Sequence, residues 1–387
     1  MPRHPQHDGR VDGIRPSVFA RLIRMMDQIG APKYAFHIGD TCLQPPEPCR
    51  LEALAADPPP RPYAYSHPFG TPALREALAA KVRRDNGLGW AGTDSVQITS
   101  GATHALFVTC QVLFGPGDEV IIPSPHWPLI SGIVAATGAT PVLAPFWPDL
   151  AADSADNCVE LLEPFVTDRT AGLYLNTPNN PTGRCLSEAA LRRLVDLAIE
   201  RDWWLLSDEA YEHYAFGDVP HVSTASLEGA ADRTVSVWTM SKAYALAGYR
   251  AGYLCGPDDL VAPIRRMCNH SVYSVSGVVQ EAALRALEHG DDWLKQARRA
   301  YADGAALVAR RLQGRFRPAE GAGYVWLEID RDGWEFLEDC LQAGVSLAPG
   351  AGFGDGFDRA MRLCYVACDL ETLAAGVDAL NEVLGLQ

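Results

Sequence analysis

The sequence predicts an α/β protein, with a large domain built on a mainly parallel central sheet and a smaller α+β domain beside it. Three observations carry this prediction. The chain has 387 residues, more than one core usually holds, and 48% of them are hydrophobic, which supplies apolar surface for two domains. From about residue 95 to 255, short β-rich runs alternate with helical patterns, as strands joined by crossover helices do. Beyond that stretch a long helical pattern is followed by short strands and helices in turn.

The first β-like run, VQIT (96–99), precedes helical THALFVTCQVLF (103–114). EVIIP (119–123) follows the turn-forming GPGD and leads into a further helical stretch. GLYLN (172–176) ends at TPNNPTG (177–183), after which SEAALRRLVDLAIERD (187–202) has helical periodicity. WWLLSD (203–208) and TVSVW (234–238) complete the series. In the last third, a helical segment over 278–314 is followed by β-like GYVWLEID (323–330), helical GWEFLEDCLQAG (333–344), β-like MRLCYVA (361–367) and helical LETLAAGVDALNEVLG (370–385). We therefore expect a large domain over 49–268 and a small domain made of 1–48 and 269–387. Pro58, Pro59, Pro60 and Pro62 mark a loop, because proline lacks the N–H that helix and sheet require.

The charge balance narrows the function classes. With 33 Lys and Arg against 48 Asp and Glu, the net charge is −15, and no basic block interrupts the acidic background. Nucleic acid and anionic membranes are therefore not expected partners. The ten cysteines show no C-x-x-C pair and no Cys/His cluster at zinc spacing, so reduced thiols and no metal site are expected. The N-terminal MPRHPQHDGRVDGIRP has no apolar core of a signal peptide, and no run approaches the ~18 apolar residues of a membrane span. These features point to a cytoplasmic protein.

Several polar residues stand just past predicted strands, where α/β proteins bind ligands. Lys242 follows TVSVW, and Thr239, Ser241 and Arg250 surround it with two hydroxyls and a guanidinium suited to phosphate oxygens. An amine there can form an imine with an aldehyde, and becomes a better nucleophile and base when its pKa is lowered. Asp208 ends WWLLSD; it can cap a helix, or keep a pyridine nitrogen protonated. Tyr211 and Asn180 can each offer a hydrogen bond to a ring oxygen, although Asn180 also suits a plain turn. Ala102 and Thr103 open a helix after Gly101 and make an anion site. Trp127 can stack on a flat ring or simply pack. Together these residues meet the needs of pyridoxal 5′-phosphate (PLP): an amine, an acid, phosphate donors and an aromatic face.

The chain resembles the fold-type I PLP enzymes, and among them the aspartate aminotransferase-like class I/II aminotransferase family. The likeness rests on N-x-P-x-N-P-T-G at 176–183, D-E-x-Y at 208–211, S-K at 241–242 with R-x-G-Y at 250–253, and R-L at 362–363. It implies the PLP-dependent transferase fold. Lys242 resembles the Schiff-base lysine that also moves the proton at the substrate α-carbon, Asp208 the partner of the pyridine nitrogen, and Tyr211 and Asn180 the partners of the ring oxygen. Trp127 resembles the stacking aromatic, and Ala102, Thr103, Thr239, Ser241 and Arg250 fall among the phosphate-binding positions. Arg362 resembles the arginine that clamps the substrate α-carboxylate, assisted by Gly39. Tyr65 resembles the tyrosine that reaches the neighbouring subunit's phosphate, which implies a homodimer with shared active sites.

The expected reaction is transfer of an α-amino group from an amino acid to a 2-oxo acid. The alternative is other PLP chemistry on an amino acid, such as elimination, replacement, cyclisation or decarboxylation in specialised biosynthesis. A third reading, an aminotransferase-like sensor of a transcription regulator, needs a DNA-binding domain that the ~35 residues before the first motif are too short to form. GDTCLQPP at 39–46 and His126 before Trp127 depart from the family pattern near the expected substrate mouth.

Overall fold

The computed structural model describes residues 9–14, 16–216 and 220–385; the first eight residues of the N-terminal segment read above lie outside that range. A seven-stranded sheet runs, in spatial order, Val96–Thr99, Gly252–Cys255, Thr234–Thr239, Trp204–Asp208, Thr170–Asn176, Glu119–Ser124 and Thr140–Pro145. Only Gly252–Cys255 runs against its neighbours. Alternate side chains of the strands feed two cores, as the two-residue period requires. Val120 and Ile122 pack with Val235 and Val237 under the helices Gly101–Leu113 and Asp258–Ser271, while Ile121 packs with Leu173, Leu175 and Leu205 under Glu188–Glu200.

Two of these strands do not stand out in the sequence. Gly252–Cys255 has four residues, one of them glycine, and begins inside the R-x-G-Y motif, where it passes as loop. Thr140–Pro145 contains two prolines, which the sheet tolerates because this strand lies at its edge.

A second sheet is antiparallel and has four strands: Ala348–Pro349, Ala360–Cys364, Tyr324–Glu328 and Arg315–Phe316. The helices Asp291–Arg311 and Leu370–Leu384 share its core through Val308, Leu327, Leu363 and Val377. Tyr34–Ala35 pairs in parallel with Val345–Ser346, so the N-terminal segment packs with the C-terminal third. The long helical pattern over 278–314 divides at Gly290 into Gly277–His289 and Asp291–Arg311, with Asp291 and Asp292 favourably placed in the first turn of the second helix. Gly277–His289 buries Ala282, Ala283 and Ala286 among Leu74, Leu78 and Tyr253. Asp291–Arg311 buries Ala297, Tyr301 and Val308 in the core of the second sheet. All ten cysteines are free, and all but Cys42 and Cys368 are buried. Among the described residues, no helix is long and apolar enough to cross a membrane.

Candidate active site

Asn176, Asp208 and Thr239 end adjacent parallel strands, so the C-terminal edge of the sheet collects polar groups from separate parts of the sequence. A cavity of about 190 Å³ opens there, lined by Ala102, Thr103, Trp127, Asn180, Asp208, Tyr211, Thr239, Ser241, Lys242 and Arg250 among others. Every one of these was singled out in the sequence.

At one end the groups suit an anion. The helix Gly101–Leu113 starts here with its free N–H groups, and Thr239, Ser241 and Arg250 stand opposite. The approach is close because two glycines meet: a Cβ on Gly252 would lie 2.6 Å from the Gly101 carbonyl carbon and 2.7 Å from the Ala102 nitrogen. Arg250 is held by donating to the Ala247 carbonyl at 2.8 Å and the Ser241 hydroxyl at 3.4 Å. The Thr239 hydroxyl accepts from the Ser241 N–H at 3.1 Å and caps the short helix Met240–Ala243 that carries Lys242.

At the other end lies Asp208. Its carboxylate accepts from the Tyr174 hydroxyl at 2.7 Å and the Ala210 N–H at 3.2 Å. Burial raises its pKa from 3.8 to about 6, against the lowering effect of those two bonds, and Glu209 adds a smaller upward push. A buried carboxylate in this state is suited to a cationic partner.

Lys242 stands where this cavity joins a larger one of about 720 Å³, which adds Gly39 and Arg362 to the lining. The Lys242 Nζ donates to the Gly39 carbonyl at 2.5 Å and lies 3.7 Å from the Asp40 carboxylate. Arg362, buried in the strand Ala360–Cys364, donates to the Asn180 side-chain oxygen at 3.0 Å and to the His37 carbonyl at 2.9 Å. Its guanidinium lies over the rings of Tyr324 and Phe353, at 4.5 and 5.0 Å from their centroids, while its Nε has no partner among the described residues. The Tyr211 and Tyr324 hydroxyls pair at 2.8 Å, and Tyr324 also donates to the Gly39 carbonyl at 3.3 Å.

Tyr65 alone of the sequence-derived residues stays away. It is 87% exposed, lines neither cavity, and meets Tyr273 edge-on at 5.2 Å. Conversely, Tyr174, Tyr324, Phe353 and His37 support the site without having been singled out. Tyr174 and Tyr324 lie in β-like runs and read as core, and only pairing across distant segments reveals their second task.

Behind Asp208, Glu209, Glu212 and His221 bring possible ligand atoms within 4.8 Å of one another. That cluster already contains a cation: buried Lys81 pairs with Glu212 and donates to Asn86 at 2.8 Å. Glu209 accepts from Ser207 at 3.0 Å, Ser223 at 2.8 Å and the His221 ring at 3.0 Å.

An anion cradle, a buried acid at the opposite end, an amine between them and a nearby aromatic ring fit PLP in chemistry and in order. Fold and site together define a PLP-dependent enzyme of fold type I. Comparison with known proteins refines the class. The sequence matches the aminotransferase class I and II family over residues 43–380. It is 34% identical over 331 residues to the aspartate/prephenate aminotransferase of Thermus thermophilus, covering 83% of each chain. It is 32% identical to aromatic-amino-acid aminotransferase 2 of Thermococcus litoralis, covering 83% of this chain and 84% of the relative. Among solved structures, aspartate aminotransferase from Thermus thermophilus with maleate superposes with a TM-score of 0.87 at 32% identity, covering 98% of this chain and all of the other. The chain belongs to the class I and II aminotransferase family. It is a PLP-dependent aminotransferase that moves amino groups between amino acids and 2-oxo acids.

Proposed function

We propose that Lys242 binds the cofactor aldehyde and moves the proton at the substrate α-carbon, while Arg362 grips the α-carboxylate. The observation that carries this reading is the strip His37–Gly39, whose two outer carbonyls accept from Arg362 at 2.9 Å and from Lys242 at 2.5 Å. One short segment thus sets the spacing between the proton-carrying amine and the carboxylate clamp. When bound, PLP supplies the aldehyde that accepts the amino group and a ring that withdraws electrons from the α-carbon. Asp208 holds a proton on the ring nitrogen, which its burial favours, with no cation among the described residues acting on it. Tyr211 and Asn180 donate to the ring oxygen. Ala102, Thr103, Thr239, Ser241 and Arg250 hold the phosphate, Trp127 covers one ring face, and the Gly39 N–H assists the carboxylate.

A homodimer with shared sites is part of the same reading. Tyr65 is 87% exposed and outside its own chain's cavities, so a second copy is needed for it to meet a phosphate. The free, mostly buried thiols support a cytoplasmic location.

The test is transfer itself. Purified protein loaded with PLP, given an amino acid and a 2-oxo acid, should form the new amino acid in equal amount to the donor's oxo acid. Lys242→Ala should abolish transfer while some cofactor remains bound through Asp208 and the phosphate donors; retained transfer refutes the assignment. Mixing Lys242→Ala chains with Tyr65→Phe chains should restore activity above either alone, because one site of each hybrid is intact. No restoration would refute shared sites.

A further inference from the structure

We infer that the side chain of the preferred amino acid is large, uncharged and apolar, so that aromatic and long aliphatic donors are used in preference to aspartate and glutamate. This rests on the aminotransferase reading of the site. The α-amino and α-carboxylate groups need only the end of the larger cavity near Lys242 and Arg362. Its remaining wall carries Ile14, Val18, Ile38, Phe107, Leu129 and Leu143. Four of these are large hydrophobic side chains left open to solvent: Ile14 is 41% exposed, Ile38 46%, Phe107 37% and Leu129 51%. Single exposed apolar residues need no explanation, but several around one concave mouth mark a site that removes apolar surface from water.

Charge supports the same conclusion. Among the described residues lining this cavity, the only Lys and Arg are Lys242 and Arg362, and there is no Asp or Glu. Both cations already have tasks at the α-carbon. A second carboxylate on the substrate would leave water without a partner among the described residues, and so would a second ammonium. Two histidines line the cavity, and each ring has a hydroxyl partner. The His37 ring nitrogen pairs with the Ser346 hydroxyl, and burial, followed by Arg362, lowers its pKa toward the neutral form. The His126 ring pairs with the Ser124 hydroxyl at 3.0 Å. The cavity volume of about 720 Å³ leaves room for a side chain much larger than that of aspartate.

The experiment compares kcat/KM of the full-length, PLP-loaded protein for phenylalanine, leucine, methionine, aspartate and glutamate with one 2-oxo acid acceptor. The apolar donors should exceed the acidic ones by about 100-fold or more, the cost expected for burying an unpaired charge. Aspartate or glutamate as the best donor would overturn the inference while leaving aminotransferase activity intact, as when a partner subunit contributes a cation. Failure of every donor to transfer its amino group would overturn the underlying reading instead. Leu129→Arg places a cation in the apolar wall and should lower the phenylalanine-to-aspartate ratio about fivefold or more. An unchanged ratio would remove this wall from the determinants of specificity and overturn the inference.

Discussion

Asp208→Asn is expected to stabilise the protein without cofactor while destroying its activity. The carboxyl is buried, and burial raises its pKa from 3.8 to about 6 even though Tyr174 and Ala210 donate to it. A shift of this size corresponds to roughly 3 kcal/mol against the charged form in the folded state. Because the folded protein holds this proton more tightly than the unfolded chain, the penalty is full above about pH 6 and is relieved as pH falls toward 3.8. Asn carries no charge, but its amide satisfies only one of the two donors, which costs about 1 kcal/mol. The variant should therefore be about 2 kcal/mol more stable than wild type at about pH 8, and nearly equal to it at about pH 4.5. Urea denaturation of both proteins without cofactor, at both pH values, measures the difference. A variant less stable at pH 8, or a difference that does not change with pH, would refute the argument. On the role proposed for Asp208, amino-group transfer should fall by about 100-fold or more, since the ring nitrogen would lose its ionic partner.

Two further perturbations test the surroundings. Lys81→Met leaves Glu212 buried without its cation and should cost about 3–5 kcal/mol near pH 7, read as a lower urea midpoint. Burial opposes the Glu212 charge, but Lys81, His213 and His221 outweigh it and hold the pKa down from 4.5 to about 2. The contribution is therefore present above about pH 4.5 and lost as pH falls toward 2, so the variant's deficit should shrink across that window. Gly252→Ala drives a methyl group into the Gly101 and Ala102 backbone and should weaken PLP binding about tenfold or more, measured by cofactor titration. Unchanged affinity would show that the approach of these two glycines does not shape the anion end.

Much of the site was legible because its polar residues sit at strand ends, where local sequence gives both the strand and its last residue. Asp208 at the end of WWLLSD and Lys242 after TVSVW were of this kind, and the structure brings both to one cavity. Thr140–Pro145 and Gly252–Cys255 were not legible as strands, since prolines in one and brevity in the other remove the local signal, and pairing with neighbours decides both. The roles of Tyr174 and Tyr324 were hidden for a related reason. An apolar ring in a strand satisfies the core whether or not its hydroxyl has a target, and the targets, Asp208 and Tyr211, are far off in sequence.

The same logic explains why the substrate end was read least well. The Arg362 contact with His37 spans 325 residues and joins the C-terminal sheet to the N-terminal segment. The apolar wall is likewise assembled from the N-terminal segment, the first helix after the sheet's edge strand and the start of the helix Leu129–Ala135. None of these segments has a pattern of its own that distinguishes a pocket wall from ordinary surface. Cofactor chemistry is constant and is held by compact motifs beside the sheet, whereas side-chain selection depends on where distant segments meet. Substitutions at Ile38, Phe107 and Leu129 should therefore shift donor preference more than cofactor affinity; parallel measurement of both across the donor panel would reveal a failure of that separation.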